Sequence, residues 1–105
     1  MSGLTHRIKR GDTSPSILFT LSPLVNLTGA TVVFNMQTAA GQAAISRAAA
    51  VVENAAAGIV RYNWQAGNTA IAGHFIAEFE VSRSGEVETY PNGGYINVLI
   101  DPDLG

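Results

Sequence analysis

The residue types that most often carry chemistry are sparse in this sequence. It has two histidines, His6 and His74, and no cysteine. Neither histidine lies in a cluster of His, Asp or Glu with the spacing of metal ligands or of a catalytic base and its nucleophile. His74 falls on the outward side of a predicted strand, where a solvated side chain is typical. We therefore predict no catalytic role and no metal site at either histidine.

Two pairs of carboxylates have a spacing that could serve catalysis or cation binding. Glu78 and Glu80 share one face of a predicted strand, as a general acid and base would. Their neighbours on that face are a His, an Ile and a Ser, so a solvated or cross-strand-paired surface is the better interpretation. Asp101 and Asp103 flank a proline and could bind Ca²⁺ only if other loops supplied oxygen ligands. No loop has a matching run of carboxylates.

The pair Gly93-Gly94 comes nearest to a phosphate-binding loop. No helix is expected after it, and no Lys or Ser/Thr completes such a motif. With the catalytic clusters also missing, the sequence predicts a protein that is not an enzyme. We expect no catalytic, cofactor-binding or metal-binding residues, and no cofactor.

Four aromatic side chains, Tyr62, Trp64, Tyr90 and Tyr95, could form a platform on which a sugar ring stacks. Tyr62 and Trp64 lie on the inward side of a predicted strand, so we expect them to fill the core instead. Tyr90 and Tyr95 flank a Pro-Asn-Gly-Gly turn, and the sequence leaves their exposure open. A carbohydrate-binding module that contacts the host surface is therefore an alternative function.

Composition limits the remaining classes of protein. The 105 residues predict a single domain over residues 1–105, and 47% hydrophobic residues suffice for one core. Only 13% of the residues are charged, which fits a surface partly covered by other protein or one made polar by Ser, Thr, Asn and Gln. The net charge of −2 predicts no nucleic-acid partner. The sequence contains no apolar run of about 18 residues, so no membrane span is predicted. Without a signal-peptide pattern, we expect synthesis in the cytoplasm.

Alternation of apolar and polar residues predicts β-strands through most of the chain. The central stretch, residues 58–81, holds two such strands, which we expect to form a core hairpin joined by residues 66–72. The first ten residues predict a short edge strand with Leu4, His6 and Ile8 on one side. Further strands are predicted at residues 16–21, 31–38, 87–90 and 95–100, with a break at Pro23 and a tight turn at residues 84–86. The fold class is therefore all-β, an immunoglobulin-like antiparallel β-sandwich of about seven to eight strands.

Residues 42–57 are ambiguous because they are rich in alanine, the strongest helix former. A strand is supported by the positions of Ile45, Arg47, Ala49 and Val51. They are every second residue, so they would share one face of a strand but not of a helix. The flanking segments are strongly β and the loops are short. We favour one strand or a ragged hairpin over a helix.

The order of motifs resembles one known family. The runs KRGDTSP, LTGATVVF, GIVRYNW, GHFIAEFEV and YPNGGY occupy residues 9–15, 27–34, 58–64, 73–81 and 90–95. This order resembles the N-terminal, immunoglobulin-like domain of the phage baseplate upper protein family, over about Ile8 to Leu104. The sequence departs from the family at Asn68, where an Asp often precedes the Thr, and in the alanine-rich segment.

The resemblance implies a structural tail or baseplate protein of a tailed phage, made in the cytoplasm of the bacterial host. Its partners would be other tail and baseplate proteins, in an assembly that contains several copies. Longer family members continue into a helical, receptor-proximal portion and this sequence stops at Gly105, so a receptor-binding tip is not implied. A capsid-decorating or head–tail-joining protein is a second structural alternative.

Overall fold

A computed structural model of the protein describes residues 5–21 and 26–104. In this part of the chain there are nine strands and no helix. The strands are β1 (Thr5–Lys9), β2 (Ile17–Thr20), β3 (Thr31–Thr38), β4 (Ala43–Ala49), β5 (Val51–Asn54), β6 (Ile59–Tyr62), β7 (Gly73–Arg83), β8 (Glu86–Tyr90) and β9 (Ile96–Asp101). The predicted all-β class is confirmed. The predictions for Leu4 and Pro23 lie outside the described residues.

The strands form two sheets that pack as a sandwich. The larger sheet has the order β1-β9-β7-β3-β4, with β8 also paired to the C-terminal half of β7, and the smaller has the order β2-β6-β5. Neighbouring strands are antiparallel except β1 and β9, which run parallel with Ile8 opposite Ile100. The arrangement is compatible with the predicted immunoglobulin-like sandwich.

Aromatic rings from both sheets meet at the centre of the core. Phe34 of β3 stacks on Tyr62 of β6, with ring centroids 4.3 Å apart and planes inclined by 9°. Trp64 meets both rings edge-on, at centroid distances of 5.9 and 5.4 Å. Phe79 of β7 lies 5.1 Å from Phe34 and 5.9 Å from Phe19 of β2. Such clusters bury large apolar areas, so they hold the two sheets together.

The hairpin predicted for residues 58–81 is wrong. β6 pairs with β2 and β5 in the small sheet, whereas β7 pairs with β3, β8 and β9 in the large sheet. The predicted inward faces are nevertheless correct, because the aromatic residues of the two strands face each other across the core. The loop between them crosses from one sheet to the other. Asn68 in this loop accepts hydrogen bonds from the Tyr62 hydroxyl at 2.6 Å and the Gln65 amide at 2.7 Å.

The alanine-rich segment is extended and not helical, as predicted. Its two strands do not form a hairpin. β4 pairs with β3 in the large sheet, and the chain then passes through Ala50 into β5 of the small sheet. The alternation predicted to place Ile45 and Arg47 on one side is wrong. A β-bulge opposite Asn35 gives Arg47 a φ of 51°, so Ile45 points inward while Arg47 is exposed. The Asn35 side chain stabilises this bulge by accepting a hydrogen bond from the Arg47 amide at 2.7 Å.

The turn predicted between β7 and β8 is confirmed. Two residues connect the strands, Ser84 with a φ of 53° and Gly85 with a φ of 80°. Positive φ at both central positions is the geometry of a type I′ hairpin turn, whose twist matches that of the flanking strands. β1, also as predicted, lies at an edge of its sheet.

Candidate assembly surface

The structure places the two histidines on opposite faces of the large sheet. His74 is exposed on the outer face, with its Nε2 atom 3.0 Å from Asn97 Oδ1. His6 is half-buried on the inner side, 5.8 Å from the Trp64 ring. Burial lowers the pKa of the His6 imidazole, an effect partly offset by the nearby backbone of Pro15. The two rings therefore do not converge on one site.

Most of the acidic side chains singled out above are held by arginines. Asp101 pairs with Arg7 at 3.1 Å, and Asp103 pairs with Arg10 at 2.7 Å. The hydrogen bond from Arg10 is the main reason that the pKa of Asp103 is lowered. These pairs connect β1 and the segment after it to the end of β9 and the residues that follow it. Within residues 5–21 and 26–104, no three His, Asp or Glu side chains are grouped as metal ligands.

Of the four aromatic side chains singled out above, three are buried and one is exposed. Tyr62 and Trp64 are 1% and 4% exposed, which confirms that they belong to the core. Trp64 Nε1 donates a hydrogen bond to the Pro15 carbonyl at 3.1 Å. Tyr90 is also buried, and its hydroxyl donates to Glu88 at 3.1 Å. Tyr95 is 49% exposed on the outer surface. A sugar platform made by Tyr62 and Trp64 is therefore excluded.

The outer face of the large sheet carries a row of polar side chains whose grouping the sequence did not predict. Asn35 of β3 lies directly opposite Glu78 of β7, and Gln37 lies opposite Ile76. Tyr95 is one residue beyond the last pair between β7 and β9, which places it beside Glu78. These residues line a pocket of about 290 Å³. The alternation within each predicted strand was sufficient to place the residues of β3 and β7 on an outward face. Which of them are neighbours depends on the register between the strands.

The outer face of the small sheet is more apolar. Leu18 of β2 and Val51 of β5 both lie opposite Arg61 of β6, and they are 50% and 46% exposed. Arg61 pairs with Glu53 at 2.9 Å, and this contact is the first cause of the lowered pKa of Glu53. A neutralised ion pair flanked by apolar side chains costs less to cover with another protein than an isolated charge does.

The sheet edges differ in charge. β1 presents Arg7 and Lys9, and charged side chains discourage pairing with a further strand. At the opposite side of the sandwich, β4 and β5 form the edges of their sheets. Residues 43–54 contain only Arg47 and Glu53 as charged residues, and both are in ion pairs. This second edge is thus the less protected one.

Comparison with known protein families gives a match over most of the described strands. The model of the family described as the BppU N-terminal domain matches residues 22–92, more than half of the chain. The matched range includes strands β3 to β8.

The chain belongs to the baseplate upper protein N-terminal domain family.

As a member of this family, it is related to structural proteins of the bacteriophage baseplate, and interaction with other phage tail proteins is implied. The comparison with curated proteins found no match. Among the described residues, no helix is long and apolar enough to cross a membrane.

Proposed function

We propose that this protein is a non-enzymatic structural module of a tailed-phage virion. It acts as an adaptor of the tail or baseplate, docks to other virion proteins and is present in several copies. Residues 1–105 serve as one domain for this purpose, made in the cytoplasm of the bacterial host. The observation that carries the proposal is the family match over residues 22–92.

The surface of the sandwich supports an assembly role. Of eight carboxylates, the four of Glu53, Glu80, Asp101 and Asp103 are paired with arginines of the same chain. The remaining outer surface is largely uncharged, with exposed apolar side chains such as Leu18 and Val51. The centre of a protein interface is depleted in charge in the same way.

Immunogold electron microscopy of purified phage particles tests this proposal. An antibody against the full chain is expected to label the distal end of the tail, and mass spectrometry is expected to find the protein in several copies per particle. Labelling of the head or neck would instead support a capsid-decorating or head–tail-joining protein. Absence from purified particles would overturn the proposal. Antibody against a host cytosolic protein provides the control for contamination.

A further inference from the structure

The pocket on the outer face of the large sheet combines a carboxylate, neutral polar groups and an aromatic ring. Its volume is about 290 Å³. It is open to the outer face, so a side chain of another molecule can enter it. Its lining includes Asn35, Gln37, Ser46, Ile76, Glu78 and Tyr95.

Strand register brings these groups together. Glu78 lies at the centre, with Asn35 opposite on β3 and Tyr95 on the other flank. Ile76 and Gln37 form the next row. Ser46 contributes from β4, at the bulge opposite Asn35. Because every contributor except Tyr95 is on a paired strand, the pocket is formed before any ligand arrives.

The charge in this pocket has no counterpart among the described residues. Glu78 is half-buried and has no ion pair there, although its neighbour Glu80 pairs with Arg47. The bulge places Arg47 on the exposed side of β4, where its guanidinium pairs with Glu80. A half-buried carboxylate beside uncharged polar groups favours an incoming cation.

The aromatic ring narrows the choice of cation. Tyr95 is 49% exposed and lines the same pocket as Glu78. A guanidinium group is planar, donates two parallel hydrogen bonds to a carboxylate and stacks on aromatic rings, whereas an ammonium group is a strongly hydrated point charge. An arginine is therefore the side chain that uses both features of the pocket.

We propose that this pocket binds an arginine side chain of a neighbouring protein of the phage tail. The identity of the neighbour as a tail protein rests on the proposed function. A second copy of this chain fits poorly, because its arginines are already engaged. Four of them pair with carboxylates of their own chain, and Arg83 donates to the Asn26 carbonyl.

The test is an NMR titration of the full chain, labelled with ¹⁵N, with N-acetyl-arginine amide. The neutral control ligand is N-acetyl-citrulline amide, which has nearly the same shape without the charge. We expect the arginine probe to shift the backbone amide signals of Asn35, Gln37, Ile76, Glu78 and Tyr95, with an affinity roughly in the millimolar range for so small a ligand. The citrulline probe is expected to leave these signals unchanged.

Two variants and one matched control locate the interaction. Glu78→Gln is expected to weaken binding of the arginine probe at least about tenfold, the effect of losing one charge-assisted contact. Glu86→Gln removes the same charge from the exposed start of β8, so it should bind as the wild type does. Tyr95→Ser should also weaken binding, and it provides an independent test that leaves Glu78 in place.

Three outcomes would overturn the inference. They are no shift with the arginine probe, equal shifts with the arginine and citrulline probes, and unchanged binding in Glu78→Gln. A parallel titration with methyl glycosides covers the sugar alternative. Sugar-induced shifts at the same amides that persist in Glu78→Gln would assign the pocket to a carbohydrate instead. If the arginine probe does not bind, the expected labelling of virions is unchanged, so the two proposals are tested separately.

Discussion

Phe34 and Tyr62 stack face to face across the two sheets, with their ring centroids 4.3 Å apart. Phe34 belongs to β3 of the large sheet and Tyr62 to β6 of the small sheet, so this contact joins the layers of the sandwich. Neither ring is more than 1% exposed. The aromatic residues of the central stretch therefore serve the stability of the fold, and the surfaces available for assembly lie elsewhere.

Trp64 closes one side of this stack, and its replacement by Ala is expected to be costly. We expect Trp64→Ala to lower the free energy of unfolding by about 3–5 kcal/mol, the usual range for a buried aromatic side chain. Urea denaturation followed by circular dichroism measures this loss. The matched control is Tyr95→Ala, which removes an exposed ring and should change stability by no more than about 0.5 kcal/mol. A loss below about 1 kcal/mol for Trp64→Ala would contradict its place in the core.

Asn68 fixes the crossover loop through one side-chain oxygen that accepts two hydrogen bonds. Asn68→Ala is expected to cost about 1–3 kcal/mol, because it leaves the buried Tyr62 hydroxyl without its acceptor. Asn68→Asp keeps an oxygen at this position and is expected to cost less than about 1 kcal/mol. Equal losses in the two variants, measured by chemical denaturation, would show that the oxygen is not what stabilises the loop.

Glu78 and Glu80 are expected to contribute little to folding. The double variant Glu78→Gln, Glu80→Gln should lose less than about 1 kcal/mol, because the pair of Glu80 with Arg47 lies at the surface. Thermal unfolding compared with the wild type tests this expectation. Marked unfolding would mean that the two carboxylates stabilise the sheet. A small loss would also ensure that binding changes in Glu78→Gln do not arise from misfolding.

His6 is expected to make stability depend on pH. Burial keeps the folded-state pKa of its imidazole below the ordinary value of 6.5. As the pH falls through 6.5, the unfolded chain takes up a proton that the folded chain does not, so the free energy of unfolding decreases until the folded-state pKa is reached.

Urea denaturation at pH values from about 7.5 down to about 5 measures this effect of His6, since carboxylates titrate mainly below that window. His6→Gln removes the titrating group and is expected to show a smaller loss of stability over the same range. An identical loss in the wild type and the variant would show that another group is responsible.

Local patterns in the sequence were sufficient to predict most strands and their inward faces. β3 has the predicted bounds, with Val32, Phe34 and Met36 buried. The hairpin turn at Ser84 and Gly85 was likewise predicted, because a short link that contains Gly between two strand patterns favours such a turn. Side-chain alternation and turn preference depend on only a few neighbouring residues, so they are readable without knowledge of strand partners.

Strand partners and the outer pocket were decided only by tertiary structure. A short loop between two apolar strands suggested a hairpin, but β6 and β7 lie in different sheets because their aromatic faces are buried against each other. The reversal of alternation at Arg47 depends on Asn35, which lies on another strand and accepts its amide hydrogen bond. The position of Glu78 between Asn35 and Tyr95 likewise follows from the register of three strands. A period of two indicates which face a residue occupies, whereas its neighbours on that face are fixed by long-range pairing.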